Sequence, residues 1–238
     1  MEYNLDQFKK GLSDLNINLT EKQIEQFLKY YEILVETNKV MNLTAITEFD
    51  EVIEKHFLDS LSLVRVFDLN RNVKILDLGT GAGFPGIPLK ITFPEIDIVL
   101  ADSLNKRVKF LNEVVETLQL KQVETVHGRA EELAKNKKYR EQFDLCTSRA
   151  VANLSSLSEY CLPFVKTGGA FISYKSGEVD EEAAQTKRAI YLLGGEVKDI
   201  YKFDLFDQKR SFVVIEKERK TPKAYPRKAG TPTKEPLQ

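Results

Sequence analysis

The chain has 238 residues, 42% of them hydrophobic and 30% charged, enough apolar material for one full-sized domain and too much for a disordered segment. Two cysteines, Cys146 and Cys161, exclude a disulfide scaffold, and His56 and His127 offer no zinc-ligand spacing, so no metal is expected. The net charge of −1 hides an asymmetry, because residues 217–238 carry seven basic side chains against two acidic ones, a local +5 that leaves −6 for the rest.

No stretch approaches the roughly 18 uninterrupted apolar residues of a membrane span. The start, Met1-Glu2-Tyr3-Asn4-Leu5-Asp6, lacks the basic and apolar regions of a signal peptide. A cytoplasmic protein with no membrane partner is expected.

In chain order, residues 1–70 read as a helical extension. Thr20 with Gln23 fits a capping box, and Ile24, Phe27, Leu28, Tyr31, Leu34 and Val35 then recur at helical spacing. A further helix is expected over about residues 51–67, with Val52, Ile53, His56, Phe57, Ser60, Leu61 and Val64 on one face. His56 on such a stripe reads as a core or interface residue. From Val73 the pattern changes to short apolar runs alternating with helical segments. Strands are expected at 73–78, 96–101, 123–126, 143–147 and 170–174, with helices near 84–93, 104–118, 153–165 and 179–193. After Gly194-Gly195, the runs 197–203 and 211–216 read as a terminal hairpin.

This alternation is similar to the α/β, Rossmann-like fold of class I S-adenosylmethionine-dependent methyltransferases: a mostly parallel seven-stranded sheet, helices on both faces, the last strand inserted antiparallel. The expected organisation is an N-terminal extension (1–70), the main domain (71–216) and a basic, Pro-rich, flexible tail (217–238). Pro222, Pro226, Pro232 and Pro236 fall in that tail, which reads either as a solubilising terminus or as an arm attracting nucleic acid.

Ile75-Leu-Asp-Leu-Gly-Thr-Gly-Ala-Gly-Phe-Pro-Gly86 sets a glycine cluster between the first strand and a helix, where open α/β sheets bind ligands. Gly79, Gly81 and Gly83 allow positive φ and remove side chains, so a ligand is expected to approach the backbone amides. Pro85 suits a first helical turn. Asp102, 19 residues after Gly83 and at the end of the second strand, is placed to accept from both hydroxyls of a ribose. A nucleoside-containing cofactor follows. Gly81-x-Gly83-x-x-Gly86 also satisfies the dinucleotide fingerprint, so an NAD-dependent oxidoreductase stays open. The carboxylate of Asp77 beside the loop, and the amide missing at Pro88, favour a cationic sulfonium over a pyrophosphate.

The loop Asp77–Pro88, with Met41-Asn-Leu-Thr-Ala45 before it and Gly128-Arg-Ala-Glu-Glu132 and Thr147-Ser-Arg-Ala-Val151 after it, resembles the ribosomal RNA small subunit methyltransferase G family, formerly glucose-inhibited division protein B. The resemblance spans roughly residues 25–215 and leaves the tail outside. It implies an S-adenosylmethionine-dependent enzyme that methylates N7 of a guanine in 16S ribosomal RNA, working as a monomer on a small-subunit particle. It also implies that Gly79, Phe84, Ala130, Glu131 and Arg149 sit on the methyl donor. For Arg149 the plainer alternative is a surface salt bridge.

The absent motifs point the same way. Thr147-Ser148-Arg149-Ala150 stands where exocyclic-amine methyltransferases carry an Asp/Asn-Pro-Pro-aromatic segment, and neither cysteine looks like the nucleophile a pyrimidine C5 transfer needs. Guanine N7 attacks through a free lone pair and gives up no proton, so no catalytic residue is expected. The basic clusters Lys106-Arg107-Lys109, Lys135-Lys137-Lys138-Arg140, Lys187-Arg188 and Lys209-Arg210 form no motif, and Tyr174 and Phe84 are the candidates for stacking on a base. A non-catalytic regulator that binds S-adenosylmethionine is the third reading.

Overall fold

Every strand read from the sequence is present in the computed structural model, which describes residues 3–149 and 152–238. They are β1 (Lys74–Leu78), β2 (Asp97–Asp102), β3 (Val123–His127), β4 (Phe143–Ser148), β5 (Val165–Ser176), β6 (Gly195–Leu205) and β7 (Gln208–Lys217). They form one sheet in the order β3-β2-β1-β4-β5-β7-β6. The first five run parallel; β7 is antiparallel to both β5 and β6. Parallel strands need crossovers, and the helices that supply them cover both faces. This leaves β1 and β4 as neighbours whose chains depart to opposite sides, so a crevice opens at their C-terminal ends.

One face carries the amino-terminal helices α1 (Asp6–Asp14) and α2 (Glu21–Met41), a composite segment over 49–65, and the crossovers α5 (Gly86–Thr92) and α6 (Asn105–Thr117). Their core joins Phe8, Phe27, Tyr30 and Phe57 to Ile75, Ile98 and Leu100 of the sheet. Burying each such phenylalanine is worth about 1.5–3 kcal/mol, so the extension and the sheet share one hydrophobic core. The capping box at Thr20 is formed, with Gln23 N–H donating to Thr20 Oγ1 and Thr20 N–H to Gln23 Oε1. At the other end of α2, Asn42 is left-handed and Asn38 Oδ1 accepts from the amides of Leu43 and Thr44. The Met41–Ala45 motif is thus a helix-ending turn.

The single helix expected over 51–67 is instead a succession: α3 (Phe49–Val52), a π-helical stretch (Ile53–Leu58), α4 (Asp59–Leu61) and a 3-10 turn (Ser62–Arg65). The wider π turn adds a residue per turn. His56 and Asp59 both lie in the interior, together with Ile53, Phe57 and Leu61.

The opposite face carries α7 (Ala130–Leu133), α8 (Leu154–Cys161) and α9 (Asp180–Leu192). Leu157, Cys161 and Ile190 pack there against Leu76, Cys146 and Phe171. Residues 217–238, read from composition as a flexible tail, lie along this face and end in a short helix, α10 (Thr231–Lys234). Tertiary contacts hold the segment. The Arg140 guanidinium donates to the carbonyls of Thr221, Pro222 and Tyr225, and Arg227 grips the fully buried Glu159. Among the described residues no helix is long and apolar enough to cross a membrane.

The extension meets the glycine loop directly, because the buried Tyr30 hydroxyl donates to the Ala82 carbonyl at 2.5 Å. Tyr30→Phe leaves that oxygen unpaired, and denaturant unfolding should show a loss of about 1–2 kcal/mol.

Candidate cofactor-binding site

A cavity of about 400 Å³ opens where the C-terminal ends of β1, β2, β3 and β4 converge, lined by Leu78, Gly79, Asp102, Ser103, Gly128, Ala130, Glu131, Ser148 and Tyr160 among others. Its size is that of a small-molecule site. Four of the residues singled out from the sequence meet in its wall: Gly79, Asp102, Ala130 and Glu131. Gly81 stands just behind, its N–H donating to Asp102 Oδ2 at 3.0 Å.

The glycines divide by what surrounds them. At Gly79 (φ +72°) and Gly81 (φ +62°) an added Cβ would meet nothing within 4 Å, so both combine a left-handed backbone with open space. At Gly83 a Cβ would lie 2.8 Å from the Tyr30 hydroxyl, and at Gly86 it would lie 2.2 Å from Leu100. These two serve packing; the first two leave room for a ligand.

The loop amides are not offered to a ligand as the sequence suggested. Gly79 and Thr80 donate to the Ala101 carbonyl, Gly81 to Asp102, Gly83 and Phe84 to the Thr80 carbonyl, and Gly86 to Asp77. A pyrophosphate needs such amides free, so the arrangement disfavours a dinucleotide. Asp77 does not face the cavity as expected. It is fully buried, and one oxygen accepts from Thr80 Oγ1 at 2.6 Å and Gly86 N at 2.8 Å. Burial raises its pKa to about 6 despite those bonds. Asp77 therefore shapes the loop from beneath and is not among the residues that line the cavity.

Asp102 is better placed. Its Oδ1 accepts from Leu104 N at 2.8 Å and its Oδ2 from Gly81 N, with Arg107 3.4 Å away. A carboxylate has about four acceptor directions, so capacity remains for hydroxyl groups. Asp102 and Glu131 give the cavity an acidic wall, and the bare Gly79 gives it depth. That combination fits S-adenosylmethionine, with its ribose hydroxyls, adenine amine and cationic sulfonium.

Phe84 and Arg149 are not among the residues lining the cavity. Phe84 is buried in the core and stacks on His56, ring centroids 4.4 Å apart. Arg149 lies over the same ring, 5.1 Å from its centroid. Its guanidinium donates to the Lys55 carbonyl, to Asp59 Oδ2 at 2.8 Å and to His56 Nδ1 at 3.0 Å. Asp59, 3% exposed at its side chain, also takes Arg210 Nε on its other oxygen at 2.7 Å. The ion pair with Asp59 is not the surface salt bridge offered as the alternative, because the side chains are 15% and 3% exposed. Arg149 borders a second groove, with Tyr174, Lys175 and Arg210, that shares Ala152 with the cavity. Ala150 and Val151, the end of the fourth motif, lie outside the described residues.

His56 is held neutral. Burial and the Arg149 guanidinium bring its pKa down to about 3, so Nδ1 accepts from Arg149 while Nε2 pairs with Thr44 Oγ1 at 2.9 Å. The Met41–Ala45 motif thereby supports the histidine that supports Phe84. The proposed stacking rings are not free: Tyr174 is buried with its hydroxyl donating to the Ser60 carbonyl, and Phe84 is covered by His56. Several clustered cations are also engaged internally, as with Arg140 on the tail carbonyls, Lys138 on Glu124 and Arg210 on Asp59. Cys146 and Cys161 are fully buried, and burial pushes the Cys146 thiol up.

Sequence reasoning missed the tail. Gly230 and Thr233 line the cavity, and no local pattern marks a segment about 100 residues beyond Glu131 as its neighbour.

The model of the family described as rRNA small subunit methyltransferase G matches residues 23–213. The chain is 52% identical over 232 residues to the ribosomal RNA small subunit methyltransferase G of Lachnoclostridium phytofermentans, covering 97% of this chain and 96% of that protein. It is 51% identical to the protein of the same name from an Exiguobacterium species, covering 98% and 99%. Matches of that extent reach into residues 217–238, which the motif-based resemblance had left outside. Among solved structures, M. jannaschii TYW2 in complex with AdoMet superposes with a TM-score of 0.56 at 14% identity, over 73% of this chain and 79% of that one. A SAM-dependent methyltransferase from Aquifex aeolicus gives 0.53 at 19%, over 69% and 92%. At such identities the likeness is one of fold.

His56 titrates near 6.5 when unfolded and about 3 when folded, so between those values the unfolded chain binds the extra proton and stability falls as pH is lowered. Relative to His56→Gln, the wild type should lose up to about 2 kcal/mol between pH 7 and pH 5, measured as the difference between their chemical unfolding curves.

Proposed function

The chain belongs to the rRNA small subunit methyltransferase G family, and from that premise we propose that it transfers a methyl group from S-adenosylmethionine to N7 of a guanine in 16S ribosomal RNA. The observation that carries this reading is the cavity at the crevice between β1 and β4, where Gly79, Asp102, Ala130 and Glu131 meet. Gly79 leaves space for the donor. Asp102 accepts from its ribose hydroxyls and Glu131 lies at the adenine end, where the residues after β3 reach the cavity.

When bound, S-adenosylmethionine supplies an electrophilic methyl group. The protein's own work is placement. Guanine N7 carries a free lone pair in the neutral base, so no side chain has to take a proton, and orientation alone can contribute about 7–11 kcal/mol. The described groups suit this economy: His56 is neutral and engaged on both ring nitrogens, and both cysteines are sealed in the core. Neither set has a role in proton transfer. The buried network of Asp59, Arg149, His56 and Phe84 holds the loop that backs the cavity, so Phe84 and Arg149 act on the donor through that loop.

The substrate is an assembled small-subunit particle. The body outside the tail has a net charge of −6, and Arg140, Arg149 and Arg210 are engaged within the chain, both of which count against sequence-independent duplex binding. The nicotinamide reading has the loop amides against it.

Small subunits purified from cells lacking the enzyme, incubated with the protein and labelled S-adenosylmethionine, should yield 7-methylguanosine on nucleoside mass analysis. Binding without transfer would make the chain a regulator, and a different methylated nucleoside would overturn the N7 assignment. In calorimetry, Gly79→Arg and Asp102→Ala should abolish binding of S-adenosylhomocysteine. Cys146→Ser and Cys161→Ser should keep turnover within a few-fold; a Cys161→Ser protein that binds donor normally yet transfers nothing would defeat the proposed chemistry.

A further inference from the structure

We propose that the C-terminal segment 218–238 is part of the donor site, with Gly230 and Thr233 forming the wall at its adenine end. The inference rests on the reading of the cavity as the S-adenosylmethionine site. Three independent sets of contacts carry it.

The first is the cavity itself. Gly230 and Thr233 line it beside Ala130 and Glu131. Gly230 N–H donates to Glu131 Oε1 at 2.8 Å, which fixes the carboxylate and leaves its other oxygen for a ligand donor such as the adenine amine. Glu131 is 5% exposed. Without the tail amide, a carboxylate in that position would have to turn toward solvent or protonate.

The second is the way the segment is fastened. The Glu159 carboxylate, with no exposed surface, accepts from Arg227 N, Nε and Nη2 at 2.7–3.1 Å. A fully buried carboxylate with a forked guanidinium is a specified contact, since either group alone would be costly in that place. It sits on α8, the helix that also supplies Tyr160 to the cavity wall.

The third lies on either side of the wall residues. Ser156 Oγ donates to the Pro232 carbonyl and Ser155 Oγ to the Leu237 carbonyl, both at 2.7 Å. Tyr160 Oη pairs with Thr233 Oγ1 at 2.8 Å. These bonds set the segment's distance from α8 and hence the width of the cavity between them. A solubilising terminus has no need of such registration. The segment's basic character is accordingly spent in part on anchoring, through Arg227.

The experiment is calorimetric titration of S-adenosylhomocysteine into full-length wild type, Thr233→Trp and Thr233→Ser, with thermal unfolding of each ligand-free protein alongside. Thr233→Trp places bulk in the cavity and should weaken binding at least about tenfold, with the ligand-free midpoint read alongside because the substitution also removes the Tyr160 bond; Thr233→Ser keeps the hydroxyl and should bind like wild type. Hydrogen exchange at Gly230 N–H should slow when the ligand is added to wild type, a readout that holds even if Thr233→Trp proves unstable. If wild type does not bind the ligand, the reading of the cavity fails. If wild type binds, Thr233→Trp binds equally well, and Gly230 exchange is indifferent to ligand, the tail is not part of the site; when Thr233→Trp melts early, the exchange result alone decides in the same way.

Discussion

The constraint on which the site depends is that two carboxylates, Asp77 and Asp102, take up the backbone of the loop between β1 and α5. Asp77 receives Thr80 and Gly86 from beneath, and Asp102 receives Gly81 from the side. A loop folded onto its own acceptors has few amides left for an anion, but its glycines still leave empty space above Gly79 and Gly81. The same bonds that disfavour a phosphate therefore leave a pocket whose wall carries Asp102 and Glu131, with Arg129 among its other residues. Ligand preference follows from how the loop satisfies itself as much as from which residues face outward.

The amino-terminal layer gives that loop a rigid back. Tyr30 holds the Ala82 carbonyl, Phe84 is covered by the hydrogen-bonded pair of His56 and Arg149, and Asp59 fixes Arg149 together with Arg210. Two arginines on one buried carboxylate make a compact charge-assisted cluster. It ties the π-helical stretch, the end of β4 and the start of β7 to a common point. A histidine that stays neutral is part of this arrangement, because a proton on Nδ1 would place it against the guanidinium. The helices of residues 3–65 back the glycine loop, and Arg149 of the fourth motif is anchored on them.

The opposite layer works by a different device. There the last 20 or so residues return across α8, held through their own main-chain carbonyls and by two buried carboxylates, Glu159 and Glu131. Hydrogen bonds of that kind demand backbone position and are indifferent to most side chains, which is how a segment rich in proline and lysine keeps one course without a core of its own.

The sequence by itself determined the strand count, four of the helices between strands, the antiparallel final hairpin, and the placement of Gly79 and Asp102 at strand ends, because period-2 and period-3.6 patterns and glycine clusters are local signals; Ala130 and Glu131 came from the family resemblance, and the short α7 that begins with them was not expected. Pattern could not say that the loop amides turn inward, since that depends on Asp102 arriving from the neighbouring strand. It placed His56 correctly in the interior and missed both the π turn and the Arg149 guanidinium that links His56 to Asp59. Only tertiary structure decided that Arg149 ends on Asp59 across 90 residues and that Gly230 closes on Glu131 across 99. In both cases the partner is chosen by which buried charge or carbonyl lacks one after the sheet has closed, and composition carries no record of that.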